Sequence, residues 1–184
     1  METDEEQDED QVLARVRAGD TAAFAVLVLR HAGIAKRLAV LTGADAEADD
    51  VVQEAFVKAY RSLGSFRTGA QFRPWLLRIV VNESHNLHRG RSRRHARELW
   101  VVRGEDPAAV APDPAAAALE LDRREVLLSA VQHLPDDLRD VVTCRYLLEL
   151  SEAETAAVLD LRAGTVKSRL HRALGRLREE VSRD

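Results

Sequence analysis

From Arg162 to Arg178 the chain carries Arg162, Lys167, Arg169, His171, Arg172, Arg176 and Arg178, and no Asp or Glu. At about 100° per residue, Val166, Leu170, Ala173, Leu174, Leu177 and Val181 share one side of a helix. Thr165, Arg169, Arg172 and Arg176 gather beside that stripe, with Lys167, His171 and Arg178 beyond them. Such a helix buries its apolar side and leaves a face of guanidinium, ammonium and hydroxyl donors. These groups hold phosphates, and Arg, Lys, Ser and Thr also contact base edges in the major groove. The plain alternative is a solvated basic face on an ordinary helical hairpin.

The elements before this helix favour the first reading. Ser151 with Glu154 three residues on fits a capping box, opening a helix through Ala156, Ala157, Val158 and Leu159. A short turn, Asp160 to Ala163, follows. Gly164-Thr165 then predicts a flexible residue and a hydroxyl cap before Val166. Two helices across so short a turn make a helix-turn-helix, which sends its second helix into the major groove N-terminal end first. The capped turn and the missing acids decide for a DNA reader.

A second constellation lies at 72–94, FRPWLLRIVVNESHNLHRGRSRR. Pro74 suits a first helical turn, and Trp75, Leu76, Ile79 and Val80 point inward. Past Asn82 the helix turns to His85, Asn86, His88 and Arg89, then Arg91, Arg93, Arg94 and Arg97, without an acid after Glu83. Aromatic and guanidinium planes stack unpaired bases while cations follow the backbone, so this composition suits single-stranded or melting DNA. A core helix with a solvated basic end is the alternative. His85, His88 and His95 lack Cys or carboxylates in matching register, and no metal is expected.

Composition sets the frame. The 184 residues are 46% hydrophobic, 32% charged and only 4% aromatic, without alternating β-branched runs, which predicts an all-α fold. The net charge of −4 is unevenly spread: Glu2, Asp4, Glu5, Glu6, Asp8, Glu9 and Asp10 crowd the opening, while the basic stretches lie elsewhere. No apolar run reaches the ~18–20 residues that span a bilayer, and the opening is not a signal peptide. A cytoplasmic protein without membrane insertion is expected. The single cysteine, Cys144, reads as a buried structural thiol. A phosphate-cradling loop, a nucleophile–base pair and a metal cluster are all missing, so neither an enzyme nor a cofactor is expected.

Taken in order, residues 1–10 read as an acidic disordered tail. Helical spacing starts near Gln11 with Val12, Leu13 and Val16 and breaks at Ala18-Gly19-Asp20. A helix from Thr21, its expected cap, to Leu41 follows, with His31 as a packed residue. Val51, Val52, Ala55, Phe56, Ala59, Tyr60 and Leu63 form the next stripe, headed by Asp45, Glu47, Asp49 and Asp50 where negative charge suits the helix dipole. Asp49, Asp50, Gln53 and Glu54 leave an acidic patch, either solvated or a dock for a basic partner. GEDPAAVAPDPAAAA, 104–118, is the linker. The expected organisation is a tail at 1–10, one helical domain at 11–97, a flexible linker at 98–118 and a second helical domain at 119–184. In the latter, a helix at 119–134, a turn and a helix from Asp137 to Leu148 support the helix-turn-helix.

Together these residues resemble the bacterial RNA polymerase sigma-70 family, in its extracytoplasmic-function (ECF) group. The resemblance runs from about Val12 to Arg178 and rests on Asp49 to Phe56 (DDVVQEAF), Phe72 to Asn82 (FRPWLLRIVVN), Leu134-Pro135 and Gly164 to Ala173 (GTVKSRLHRA), in family order and spacing. It implies a sigma-2-like helical bundle and a sigma-4-like helix-turn-helix. It implies that Asp49, Asp50, Gln53, Glu54 and Val57 bind the beta-prime coiled coil of core polymerase, which the beta subunit completes. Trp75, Arg78, Asn82, His85, Asn86 and Arg89 would recognise and open the −10 element. Thr165, Lys167, Ser168, Arg169, His171, Arg172 and Arg176 would read the −35 element. An anti-sigma factor is a further implied partner. The chain departs from the family pattern at Asp160, where Gly is usual and where Asp tolerates a left-handed backbone, and at Thr155, where an aliphatic residue is usual.

Two rivals stand beside this reading: a stand-alone helix-turn-helix repressor or activator, and a signalling adaptor whose basic helices bind acidic proteins. A repressor needs a ligand pocket or dimer face in its first half. That half offers an acidic patch and an Arg-rich, aromatic-bearing helix instead.

Overall fold

The computed structural model describes residues 2–67, 69–98 and 126–181. Among them every regular element is helical. Four long helices come first: α1 (Glu2–Arg17), α2 (Phe24–Leu41), α3 (Ala48–Ser62) and α4 (Phe72–Glu98). After the undescribed stretch come α5 (126–133), α6 (Asp136–Val142), α7 (Glu152–Leu159) and α8 (Ala163–Val181). The expected linker, 98–118, lies outside the described residues apart from Glu98, as does the expected start of the next helix at 119–125.

Apolar periodicity builds the first bundle. Leu27, Ala35 and Leu38 of α2, Ala55 and Ala59 of α3, and Phe72, Leu76, Leu77 and Val80 of α4 are wholly buried. Each large side chain so buried contributes roughly 1.5–3 kcal/mol. Phe66, Phe72 and Trp75 form an aromatic cluster with ring centroids 4.8–6.0 Å apart, and Arg17 of α1 lies over Phe66 at 5.6 Å. At the α2–α3 corner Gly43 has φ +91°, and a Cβ there would stand 2.5 Å from His88 Nε2. That nitrogen also lies 3.1 Å from the Thr42 carbonyl. The His88 ring of α4 therefore closes the α2 terminus, which only glycine leaves room for.

Several expectations change. Residues 2–10 belong to helix α1, where a disordered tail is expected. Asp8 pairs with Arg30 at 2.6 Å and Glu9 reaches His31 at 2.7 Å, so side chains of α2 hold part of the acidic opening while Val12, Leu13 and Val16 anchor the helix in the core. Asp20, one residue before the expected Thr21, accepts from the Ala23 amide. The helix-turn-helix unit has its capping box: Glu154 N donates to Ser151 Oγ at 3.1 Å and Ser151 N to Glu154 Oε2 at 2.8 Å, an arrangement worth about 1 kcal/mol. Its second helix starts at Ala163, so Thr165 sits inside the first turn and does not cap it. Between α6 and Ser151, Thr143–Leu147 forms a π-helical turn.

The two halves also share a core. Cys144, Leu148, Leu150 and Val158 are buried in one apolar cluster with α1–α4. Arg37 Nη2 donates to the Leu147 carbonyl at 2.9 Å and Gln132 Nε2 to the Leu41 carbonyl at 3.3 Å. Burial pushes the Cys144 thiol pKa up, which makes it an inert packing group.

Candidate nucleic-acid interface

Helix α8 is divided as its sequence demands. Val166, Ala173 and Leu177 are buried, the last two against Ala130 and Val131 of α5, Leu134 of the turn after it, and Leu138 and Val142 of α6. Lys167, Ser168, His171, Arg172 and Arg176 are exposed on the other side, and Thr165 is half-buried. Ser168 Oγ donates back to the Thr165 carbonyl at 3.0 Å. Arg169 differs: it is partly buried and its Nε stands 3.5 Å from Asp137 of α6. The structure thus presents an exposed cationic face at 167–176, with Lys167 3.6 Å from Glu152 of α7 and Arg169 held at its edge by Asp137.

The turn before α8 depends on Asp160. It ends α7 with φ 54° and ψ 46°, the left-handed conformation that Asp adopts more readily than most residues. Thr155, in the middle of α7, is wholly buried, and its hydroxyl has no hydrogen-bond partner.

On α4 the structure gathers some of the expected residues and separates others. Arg78, Asn82, His85 and Arg89 line one cleft. Asn86 is exposed, next to Arg89 (3.1 Å) and Glu83 (3.4 Å). Trp75 sits partly buried among Phe66 and Phe72 and does not line the cleft. The helix continues through Arg91, Arg93 and Arg94 to Glu98.

The opposite wall of that cleft is acidic and comes from the second half of the chain: Asp136, Asp137 and Asp140 of α6 and Asp160 after α7. Arg78 Nη2 lies 2.5 Å from Asp160, and His85 Nε2 lies 2.9 Å from the buried Asp140. The contact runs to Asp140 Oδ2, while Asp140 Oδ1 is buried without a hydrogen-bond partner. Contact with the Asp140 carboxylate raises the His85 pKa above its ordinary value, against the effect of burial. These four acids escape sequence reasoning. Asp136, Asp137 and Asp160 lie at a helix start and a turn and look like ordinary caps, Asp140 sits inside α6, and nothing local connects the four with α4.

The acidic patch on α3 adjoins something else sequence reasoning misses. Asp49, Gln53 and Val57 border a shallow apolar groove formed by Phe24, Val28, Val52, Phe56 and Tyr60, with the Phe24 and Tyr60 rings 5.1 Å apart. Asp50 and Glu54 are exposed. Asp49 pairs with Lys36 at 2.8 Å and Glu54 with Lys58 at 3.5 Å. The face is therefore an apolar groove rimmed by polar groups, not an acidic surface alone. Among the described residues, no group of His, Cys, Asp and Glu suits a metal ion, and no helix is long and apolar enough to cross a membrane.

Fold and interface define a two-part, all-helical DNA-binding protein, with a helix-turn-helix in the second part and a basic-ended helix in the first. The family model "Sigma-70 region 2" matches residues 27–94, and "Sigma-70, region 4" matches residues 124–177. The chain is 38% identical over 175 residues to the ECF RNA polymerase sigma-E factor of Escherichia coli (strain K12), covering 91% of this chain and 92% of that one. It is likewise 38% identical over 176 residues to the RNA polymerase sigma-H factor of Pseudomonas aeruginosa, covering 92% and 91%. Among solved structures it is similar to CnrH in complex with the cytosolic domain of CnrY (30% identity, TM-score 0.68, covering 95% and 97%). It is also similar to the sigma factor RpoE in complex with the anti-sigma factor NepR from Bartonella quintana (25%, TM-score 0.67, covering 88% and 98%). This chain belongs to the sigma-70 family of RNA polymerase sigma factors, in its ECF group.

Proposed function

We propose that this ECF sigma factor divides promoter-specific initiation among three surfaces. The protein binds core RNA polymerase and directs it to promoters, and it is not a stand-alone regulator. The −35 element, as duplex, is read by the exposed side of α8: Lys167, Ser168, His171, Arg172 and Arg176, with Thr165 at the entering end. The observation that carries this assignment is the exposed cationic face at 167–176, whose own residues include no acid, backed by buried Val166, Ala173 and Leu177. Arg169 joins the reading once it leaves Asp137. The −10 element is recognised and opened by Arg78, Asn82, His85, Asn86 and Arg89 of α4, with Trp75 supporting from within its aromatic cluster.

Core polymerase docks on α3. Its beta-prime coiled coil meets Gln53 and Val57 along the apolar groove, with Asp49, Asp50 and Glu54 supplying charge at the rim, and the beta subunit completes the contact. An anti-sigma factor is a further partner, supported by the similarity to RpoE bound to NepR. The protein has no catalytic activity or cofactor of its own and works in the cytoplasm, where polymerase is.

The docking assignment is tested by replacing Gln53 and Val57 with Ala and Asp and measuring core affinity alongside duplex binding by α8. Loss of core binding with −35 binding retained is expected. Unchanged core affinity would overturn the assignment.

A further inference from the structure

Between Phe72 and Arg97, α4 carries a single acid, Glu83, set among the residues assigned to the −10 element. An unpaired carboxylate there would repel a phosphate backbone. Glu83 is not unpaired: its side chain is only 14% exposed, and Lys58 Nζ of α3 donates to its Oε2 at 2.6 Å. That contact raises the Lys58 pKa above its ordinary value, against the effect of burial, and Glu54 at 3.5 Å adds to it. The charge of Glu83 is thus balanced from α3, and its second oxygen is left to serve α4.

That second oxygen, Oε1, accepts from Asn86 Nδ2 at 3.4 Å, and Asn86 Oδ1 accepts from Arg89 Nη2 at 3.1 Å. Arg89 Nε in turn donates to the His85 carbonyl at 3.3 Å. Residues 83, 86 and 89 follow at a spacing that stacks them along one side of a helix. The two end groups decide how the amide between them lies. A carboxylate only accepts and a guanidinium only donates, so Asn86 turns its NH2 to Glu83 and its oxygen to Arg89. One N–H and one lone pair of this exposed side chain stay available to a further partner.

We infer that Glu83 is a positioning residue for promoter recognition: with Lys58 as its counter-ion, it fixes the amide polarity of Asn86 and so sets which hydrogen-bonding pattern of an unpaired base that side chain accepts. The inference rests on the assignment of Asn86 to the −10 element. A base edge presents donors and acceptors in a fixed order. An asparagine free to flip meets two opposite orders equally well, whereas one held between Glu83 and Arg89 meets one. The carboxylate supplies discrimination without touching DNA, and Lys58 removes the repulsion it would otherwise bring.

The test uses holoenzyme assembled from the full chain and bacterial core polymerase, transcribing a random-promoter library whose transcripts are sequenced. Wild type is compared with Glu83→Gln, which keeps the shape but offers an amide that can itself turn either way. Glu83→Ala, Asn86→Ala and the double variant Glu83→Gln, Asn86→Ala complete the set. Each Glu83 variant should relax the base preference at one position of the downstream element by roughly three- to tenfold, the worth of about one hydrogen bond. It should be the position that Asn86→Ala relaxes, and the double variant should lose no more than Asn86→Ala alone. A purely structural role for Glu83 would lower initiation at every promoter alike and leave the preference profile intact, which would overturn the inference. Should Glu83→Ala unfold the protein, Glu83→Gln carries the same comparison. If Asn86→Ala alters no preference within the element, the −10 assignment of that side chain fails and the inference with it. If Asn86→Ala relaxes a position that both Glu83 variants leave sharp, the positioning role alone fails.

Discussion

Asp160 serves two elements at once: its left-handed backbone ends α7, and its carboxylate stands 2.5 Å from the Arg78 guanidinium of α4. A glycine at this turn would satisfy the backbone but offer no charge. Here one side chain joins the geometry of the helix-turn-helix to the face assigned to the −10 element.

The two roles separate by substitution. Asp160→Gly keeps the left-handed turn and loses only an exposed ion pair, so stability should change by less than about 1 kcal/mol. Asp160→Val forces a β-branched residue into the same conformation and should cost on the order of 1–2 kcal/mol. Thermal or urea unfolding measures both, and equal effects would show that the backbone conformation is not what Asp160 secures.

At the α2–α3 corner, Gly43→Ala should destabilise the fold by about 1–3 kcal/mol, through its positive φ and the collision with His88 Nε2. Part of that cost belongs to the ring. In a His88→Ala background the same change should therefore cost less, a coupling a double-mutant cycle reads directly. Additive effects would mean the collision relaxes without cost.

Thr155 keeps a hydroxyl in the core without a partner. Thr155→Val preserves shape and removes that group, and should raise stability by roughly 1 kcal/mol, within the range for an unsatisfied buried polar group. A fall in the urea midpoint would show that the hydroxyl is paired in solution.

The His85–Asp140 contact makes stability depend on pH. Because the folded-state pKa of His85 is raised, its contribution is fully present below the ordinary value near ~6.5. It is lost as pH rises through the higher folded value. Asp140 and Asp136 favour the charged ring and Arg139 opposes it, while Arg78, Arg89, Asp137, Asp160 and Arg169 line the same cleft. His85→Gln should flatten the stability profile above about pH 6.5. A profile of unchanged slope would place that titration elsewhere.

Local signals in the sequence were dependable where neighbours along the chain decide the outcome. The Ser151–Glu154 capping box, the divided surface of α8 and the apolar stripe of α3 all follow from helical spacing. Thr165 misled because a hydroxyl after glycine reads as a cap even when the helix starts two residues earlier, at Ala163. The acidic opening misled because Asp8 and Glu9 find Arg30 and His31 only in three dimensions. Docking of the two halves was illegible for the same reason: Leu148, Leu150 and Val158 look like core residues of their own half, and Arg78 and Asp160 lie far apart in sequence.

In the proposed division of labour, separate helices read separate promoter elements. The most direct test is transcription in vitro by bacterial core polymerase on a random-promoter library, comparing wild type with Arg172→Ala and Asn82→Ala. Wild-type protein should select promoters sharing two spaced elements. Arg172→Ala should relax only the upstream one, by about 1–3 kcal/mol at the affected base pair, and Asn82→Ala only the downstream one. Initiation without two elements, or a shift of the same element in both variants, would contradict the account.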